Sequence, residues 1–317
     1  MSAVRSSAPV IPLPRVPAHL PKVETGWHRT VRRFRANPMS MLGLAIVAFF
    51  VALALLAPFL AHPTERNPYL IPHEGYASEP RPPSPAHPFG TTEEQFDLYY
   101  GVIWGARTAF KVALIVVASA VAVALFLGSL SGFYGGWVDE AVMRVTDIFL
   151  AFPGLILAVV IVAVLGQSVQ NAVIAIAVVE WPTYTRLLRG EFLRVRDMEY
   201  VQAARALGSG DLRIVARHLI PNTVYPILIL ASLSMGGIVI TFAALSFLGL
   251  GAPPGYADWG QLISLSHNWI AGTPGHAFTF WYTLVVPGAA IFLFVLGWNL
   301  LGDAFRDIFD PRLQGSR

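Results

Sequence analysis

No cysteine occurs among the 317 residues, which excludes disulfides, thiolate nucleophiles and Cys-ligated metals. Lysine is nearly absent too: of 22 basic residues only Lys22 and Lys111 are lysine, and no Gly-Lys-Ser/Thr occurs, so the chain has no phosphate-cradling loop of its own. Neither His-Glu-x-x-His nor Gly-x-Ser-x-Gly is found. The eight histidines are scattered, and His62, His73 and His87 share one loop at spacings too irregular for a metal site; they read as solvated loop residues. Charge is scarce as well, at 13% against the roughly 25% of soluble chains.

What is present is apolar surface in long blocks. Hydrophobic residues make up 55% of the chain, and blocks of about 20 match a hydrocarbon layer of roughly 30 Å at 1.5 Å per residue. Six such blocks lie near residues 39–61, 109–133, 146–166, 171–188, 223–249 and 281–301. The expected fold is therefore all-α, a polytopic membrane protein with six transmembrane helices. The first block is too long and too deep in the chain for a signal peptide and reads as an anchor.

The net charge of +3 comes from arginines at block ends, not from one patch, which argues against a nucleic-acid partner. With a cytoplasmic N-terminus, 18 of the 22 basic residues fall on the inner side, so both termini are expected in the cytoplasm and the surrounding partner is membrane lipid. The divisions read from composition are a proline-rich, disordered tail (1–28), an anchor (29–61), an outer loop with an interfacial helix (62–107), a core (108–303) containing a basic connection (189–222), and an inner tail (304–317). Pro58, Pro153, Pro182, Pro226 and Pro287 lie within blocks and read as kinks, ordinary or gate-shaping. Gly135/Gly136 and Gly236/Gly237 are candidates for close helix packing.

The outer loop from His62 to Pro88 has eight prolines and reads as an extended surface segment. Thr91 and Glu94 form a possible capping box for a helix whose aromatic face (Phe96, Tyr99, Tyr100, Ile103, Trp104) would sit at headgroup level, with Glu93 and Asp97 turned to solvent or to an external protein. In the last outer loop Tyr256, Trp259, Trp269 and Phe278 suit either the lining of a mouth or an interfacial belt.

Charges inside spans are costly, about 2.5–3.5 kcal/mol at the bilayer centre on insertion scales. Glu180, beside Trp181 and Pro182, is the one to explain. It suits attraction of a cationic amino terminus on a translocation path, or a structural bond to a backbone group freed by the proline. Asp147 is expected to pair with Arg144 at i, i+3.

The connection Glu199–Asn222 reads as helix, break, helix. Gly208-Ser209-Gly210 stops the first helix, Asp211 is placed to cap the second, and Pro221 closes it after about two turns. Leu212, Val215, Ala216 and Leu219 fall on one face, Arg213 and Arg217 on the other. So short a helix needs packing on both sides, against its own subunit and a partner, or else rests on lipid headgroups.

This segment resembles the EAA loop of ABC importer permeases. Gln202, Ala203, Ala204, Gly208, Ile220 and Pro221 fall on the family pattern, with Gln202 in place of its glutamate and His218 in place of its isoleucine. RRFRANPMSMLGLAIVAFF, MRVTDIFLAFPGLILA, WPTYTRLLRGEFL, FLGLGAPPGYADWGQLI and GWNLLGDAFRDIFDPRL follow in the order found in the C-type permeases of the dipeptide/oligopeptide/nickel branch, so the resemblance covers residues 29–313. HPFGTTEEQFDLYYGVIWGARTAF does too, but Thr92–Asp97 departs from the usual Asp-Glu-x-Gly-Arg-Asp.

The resemblance implies a type I importer permease with a MetI-like core that needs no cofactor. It also implies a homologous second permease, two ABC ATPase subunits and an extracytoplasmic substrate-binding protein. Gln202, Ala203, Ala204, Gly208, Asp211, Leu212, Val215, His218, Ile220 and Pro221 would form the ATPase-coupling loop. Substrates of the branch include peptides, nickel and oligosaccharides. A secondary transporter would instead need internal repeats and several buried carboxylates, and an intramembrane enzyme a nucleophile or metal site.

Overall fold

The computed structural model describes residues 32, 34–77, 79–269, 271–272 and 278–309. The tail expected over 1–28 lies outside them. Helix α1 (Pro38–Leu60) starts where Asn37 Oδ1 accepts the Met39 N–H at 3.0 Å, with proline at the first turn. Its buried residues Gly43, Val47, Phe50, Ala54 and Ala57 alternate steps of four and three, which keeps one stripe against its neighbours; Leu55 and Phe59 on the other side are exposed.

Helix α2 (Leu98–Tyr134) runs 37 residues, about 55 Å. The separate interfacial helix expected before the second span is its first turns. Thr91 and Glu94 do not cap it: Asp97 does, accepting from Tyr100 N–H at 2.8 Å, because the chain from Thr91 to Asp97 is held as a small bridge. Phe96, Tyr100, Ile103 and Trp104 are buried in the protein, not displayed at headgroup level. Trp104 donates to Ala61 O at 3.0 Å and Tyr100 to Pro68 O at 2.8 Å, so this face holds the end of α1 and the loop after it.

Gly135 and Gly136 take left-handed φ values of 69° and 55° and reverse the chain into α3 (Gly136–Leu150); they make a turn, where close packing was expected. Of the other pair, Gly236 lies against Val295, while Gly237 has no such neighbour. The third expected span is broken. Helix α3 meets α4 (Gly154–Leu165) at 87°, because Pro153 offers no N–H and pushes Phe152 out of helical conformation.

Helix α5 (Val169–Val195) follows, then α6 (Glu199–Ala206), α7 (Asp211–Ile214), a π turn (Val215–Leu219), α8 (Ile220–Phe247), α9 (Trp259–Ser264), a 3₁₀ turn (His267–Trp269) and α10 (Tyr282–Phe309). The inner tail set to begin at 304 starts inside α10. Among the described residues four helices are long and apolar enough to cross a membrane alone (α1, α2, α8 with its lead-in, α10), and the α3–α4 pair makes a fifth. Helix α5 occupies the place of the expected fourth span but is less apolar, with Gln170, Asn171, Glu180 and Arg186 along its length.

Helix α2 is the hub. It packs along α5, where Gly128 and Gly132 admit Leu188 and Phe192, and α10 packs on α8 and α1. The larger core lies toward the end bearing the long loops and the smaller toward the arginine-rich end.

The 62–97 loop is more than an extended surface segment. Leu70 bridges Tyr256, His73 bridges Phe96, and the rings of Tyr69 and Tyr256 stack at 5.4 Å. His87 is buried with Nδ1 2.6 Å from Asp97 Oδ2, so neither it nor Asp97 is the solvated group expected. In the last loop Trp259 is buried and donates to Val102 O at 3.0 Å, and Trp269 packs edge-on against Phe280. Of the four aromatics expected at a mouth or belt, Phe278 is the prominently exposed one, at 72%. Asp258, buried ahead of α9, accepts from Gln261 N–H at 2.9 Å; burial pushes its carboxyl up to about 6.

Candidate functional site

The connection between α5 and α8 is built as a tip. Helix α6 ends as expected, in a Schellman arrangement: Ser209 N–H donates to Ala204 O at 3.1 Å and Gly208 N–H to Arg205 O at 3.0 Å. Gly208 has φ 81°, the left-handed value this closure requires. Val201 and Ala204 face the bundle. Ala203, Leu207 and Gly208 face away, Leu207 at 87% exposure.

Beyond the tip three expectations fail. Asp211 caps nothing, since Gly210 holds the cap position without a side chain. Pro221 closes nothing: the short helix passes through the π turn into α8, and Pro221 lies inside that continuous run, just after the π turn. Leu212, Val215, Ala216 and Leu219 do not share one face. Ile214 and Leu219, five apart, are buried, Val215 is half-buried, and Ala216 is exposed. The π turn adds a residue to the repeat and rotates the inward face, so Leu212 projects outward at 82% exposure.

The remaining side chains secure the tip. Gln202 Nε2 donates to Asp197 O at 3.0 Å. The His218 ring lies 6.3 Å from that of Tyr200, and Asn222 Nδ2 donates to His218 O at 2.6 Å. Ile220 is half-buried and Pro221 exposed. Arg205 rests over the Phe133 ring at 5.7 Å. Together Ala203, Leu207, Gly208 and Leu212 make an exposed apolar ledge at an arginine-rich end. Leu207 is the member the sequence pattern missed; its place four residues after Ala203 is the signal that would have found it.

Ion pairs tie this end to α3. Arg189 holds Asp139 through Nε–Oδ1 at 2.5 Å and Nη2–Oδ2 at 2.6 Å, and Ser131 Oγ donates to the same carboxylate at 2.5 Å. Asp147 pairs with Arg186 at 2.5 Å, not with Arg144, which reaches Glu140 at 3.1 Å instead. The α3–α5 packing brings Arg186 across, and the i, i+4 partner suits Arg144 better than i, i+3 did.

Glu180 is a half-buried group on α5, one turn before Tyr184. Trp181 is buried 5.4 Å from Phe149, and Pro182 is buried within the helix. Within the subunit these two side chains pack beside the half-buried Glu180.

A bundle of spanning helices with a broken helix pair and an exposed basic connection defines a polytopic helical membrane protein. Residues 124–315 match the family described as binding-protein-dependent transport system inner membrane component, and residues 25–77 match the N-terminal TM domain of oligopeptide transport permease C. The chain belongs to the first of these families, which covers more than half of it.

It is 37% identical over 290 residues to the dipeptide transport system permease protein DppC of Alkalihalophilus pseudofirmus, covering 91% of this chain and 90% of that one. It is 35% identical over 294 residues to the glutathione transport system permease protein GsiD of Escherichia coli, covering 93% of each. The fold is similar to that in a structure described as inward-facing conformations of the MetNI methionine ABC transporter, with TM-score 0.52 and 18% identity, covering 67% of this chain and 97% of that one.

Proposed function

We propose that this chain is a permease subunit of an ATP-driven importer of di- or oligopeptides and forms the path with a homologous second permease. The ledge of Ala203, Leu207, Gly208 and Leu212 carries this reading. Two leucines more than four-fifths exposed beside a glycine in left-handed conformation have no use within the subunit and suit a groove on an ATPase. The peptide substrate rests on the dipeptide and glutathione relatives, similar over nine tenths of the chain.

In this reading the arginine-rich end and both termini are cytoplasmic, in a bacterial inner membrane. Two ATPase subunits grip the tips of the two permeases, and an external binding protein delivers substrate at the opposite end. The chain itself is non-catalytic. Closure of the ATPases on nucleotide moves the tip, and because α7, the π turn and α8 form one continuous element, that motion enters the bundle through a spanning helix directly. The transition is a rigid-body one biased by nucleotide.

Replacing Leu207 and Leu212 by aspartate in the co-expressed complex tests the reading. The ATPase subunits are expected to be lost on purification while the second permease stays bound; full retention of the ATPases removes the role of the ledge. Uptake of peptides, nickel and oligosaccharides by the intact transporter then decides the cargo. Glu180→Gln is expected to lower uptake of peptides with a free amino terminus more than that of N-acetylated ones, and equal loss assigns Glu180 to structure.

A further inference from the structure

Lys111 is one of the two lysines in the chain, and it sits in the wall of a membrane-spanning helix. Trp104 marks the end of α1 by its bond to Ala61, and Lys111 lies seven residues further along α2, about 10 Å toward the bundle centre. Among the described residues no carboxylate oxygen lies within ion-pair distance of its ammonium. The ring of Tyr69, at 5.4 Å, is the group that faces it. A cation at this depth without a counter-charge is costly unless it serves water or a ligand.

It opens onto such a space. A cavity of about 440 Å³ lies between α2, the start of α5 and the loops at that end, lined by Lys111, Asn67, Gln167, Ser168, Gln170 and Tyr256 among others. This volume is within the roughly 300–1,000 Å³ of small-molecule sites. No acidic residue lines it, and α5 begins at its wall, so the helix dipole adds to the positive sign. Gln167 donates to Ala252 O at 3.2 Å and Asn67 Oδ1 accepts from Tyr69 N–H at 3.1 Å; the amide N–H groups of Asn67 are left for a further acceptor.

We propose that Lys111 receives the free terminal carboxylate of a peptide in this cavity, as a specificity-determining group at the long-loop end of the path. The proposal rests on the peptide-permease reading and adds the atom that recognises the substrate. A phospholipid phosphate shares the anionic chemistry, and Leu70, Val112, Ile115, Val169 and Ile174 make much of the lining apolar, so the experiment separates the two sources. Val173 lines the same cavity, and Glu180 lies two turns further along α5, about 10 Å away along the axis.

The test uses the whole transporter, with its binding protein and ATPases, reconstituted in vesicles. Uptake of a mixture of di- and tripeptides is compared with uptake of the same mixture amidated at the C-terminus. Because the binding protein is common to every sample, its own preference cancels between variants. Lys111→Gln is expected to lower the acid-to-amide uptake ratio about tenfold, the worth of a charge-assisted hydrogen bond, and Lys111→Arg to preserve it. An unchanged ratio in Lys111→Gln, or a fall equal for acids and amides, overturns the proposal. So does a loss that appears only in vesicles containing anionic phospholipid, which assigns Lys111 to a lipid phosphate. If the wild-type transporter takes up neither mixture, the peptide reading itself fails, and that result is distinct from a variant that behaves as wild type.

Discussion

Gly208 tests the mechanism most sharply because its surroundings separate two explanations. Its φ of 81° belongs to the left-handed region, and a Cβ built there meets nothing within 4 Å. Within the subunit a side chain therefore costs backbone strain alone, about 1–2 kcal/mol for an ordinary residue. The strain falls on the two hydrogen bonds that close α6, so it shifts the conformation of the tip and leaves the bundle intact. One to two kcal/mol is a factor of roughly 5–30 in the population of the closed tip.

Gly208→Ala is expected to lower ATP-driven uptake in reconstituted vesicles by about that factor, with the melting temperature of the purified complex little changed. Asparagine tolerates left-handed φ and closes helices in the same way. Gly208→Asn is therefore expected to recover much of the uptake that alanine loses. If asparagine is as damaging as alanine, the glycine serves a tight fit against the ATPase and the strain argument is wrong. If alanine transports as wild type does, the tip has no coupling role.

Other outcomes follow from packing and charge. In Gly260→Ala the new Cβ would lie 2.1 Å from Ala243 O, against backbone that cannot swing aside, so a loss of about 1–3 kcal/mol or more is expected in detergent thermal melts; Gly237→Ala, with open space, should be nearly neutral. A double-mutant cycle on Asp139 and Arg189, whose side chains are 18% and 30% exposed, should give a coupling of about 1–3 kcal/mol. The same cycle on Glu140 and Arg144, at 67% and 76%, should give about 0.3–0.5 kcal/mol.

Asp258→Asn keeps the acceptor that caps α9 and removes a carboxyl whose pKa burial raises from 3.8 to about 6. A raised carboxyl pKa means the fold holds a proton the unfolded chain has released, so wild-type stability falls as pH rises from about 4 to about 6. The variant's advantage in melting should grow over that window toward about 3 kcal/mol and then level off. A constant difference across the window would refute it.

Much of the architecture was legible in linear order. Block length marked α1, α2, α8 and α10, because hydrocarbon demands about 20 apolar residues wherever the chain crosses. Gly208 as the stop of α6 was legible as well, since few residues but glycine close a helix left-handed. Contacts across the bundle were not. Arg144 looked like the partner of Asp147 until α5 brought Arg186 to it, and His87 looked solvated until the loop folded it against Asp97. The connection before α8 is instructive: a 3.6-residue period put Leu212 on one face with Leu219, and the π turn separates them, Leu212 exposed and Leu219 buried.

The sequence by itself therefore determined that this is a helical membrane protein and where its basic connection lies, because both follow from local composition and spacing, while its family was carried by resemblance to known permeases. Tertiary structure alone decided that the third span bends by 87°, that α7 is continuous with α8, that Leu207 and Leu212 are exposed, and that Lys111 opens onto a cavity. The physical reason is the same in each case. Helix phase and the pairing of charges depend on which surfaces meet, and residues far apart in the chain make those surfaces.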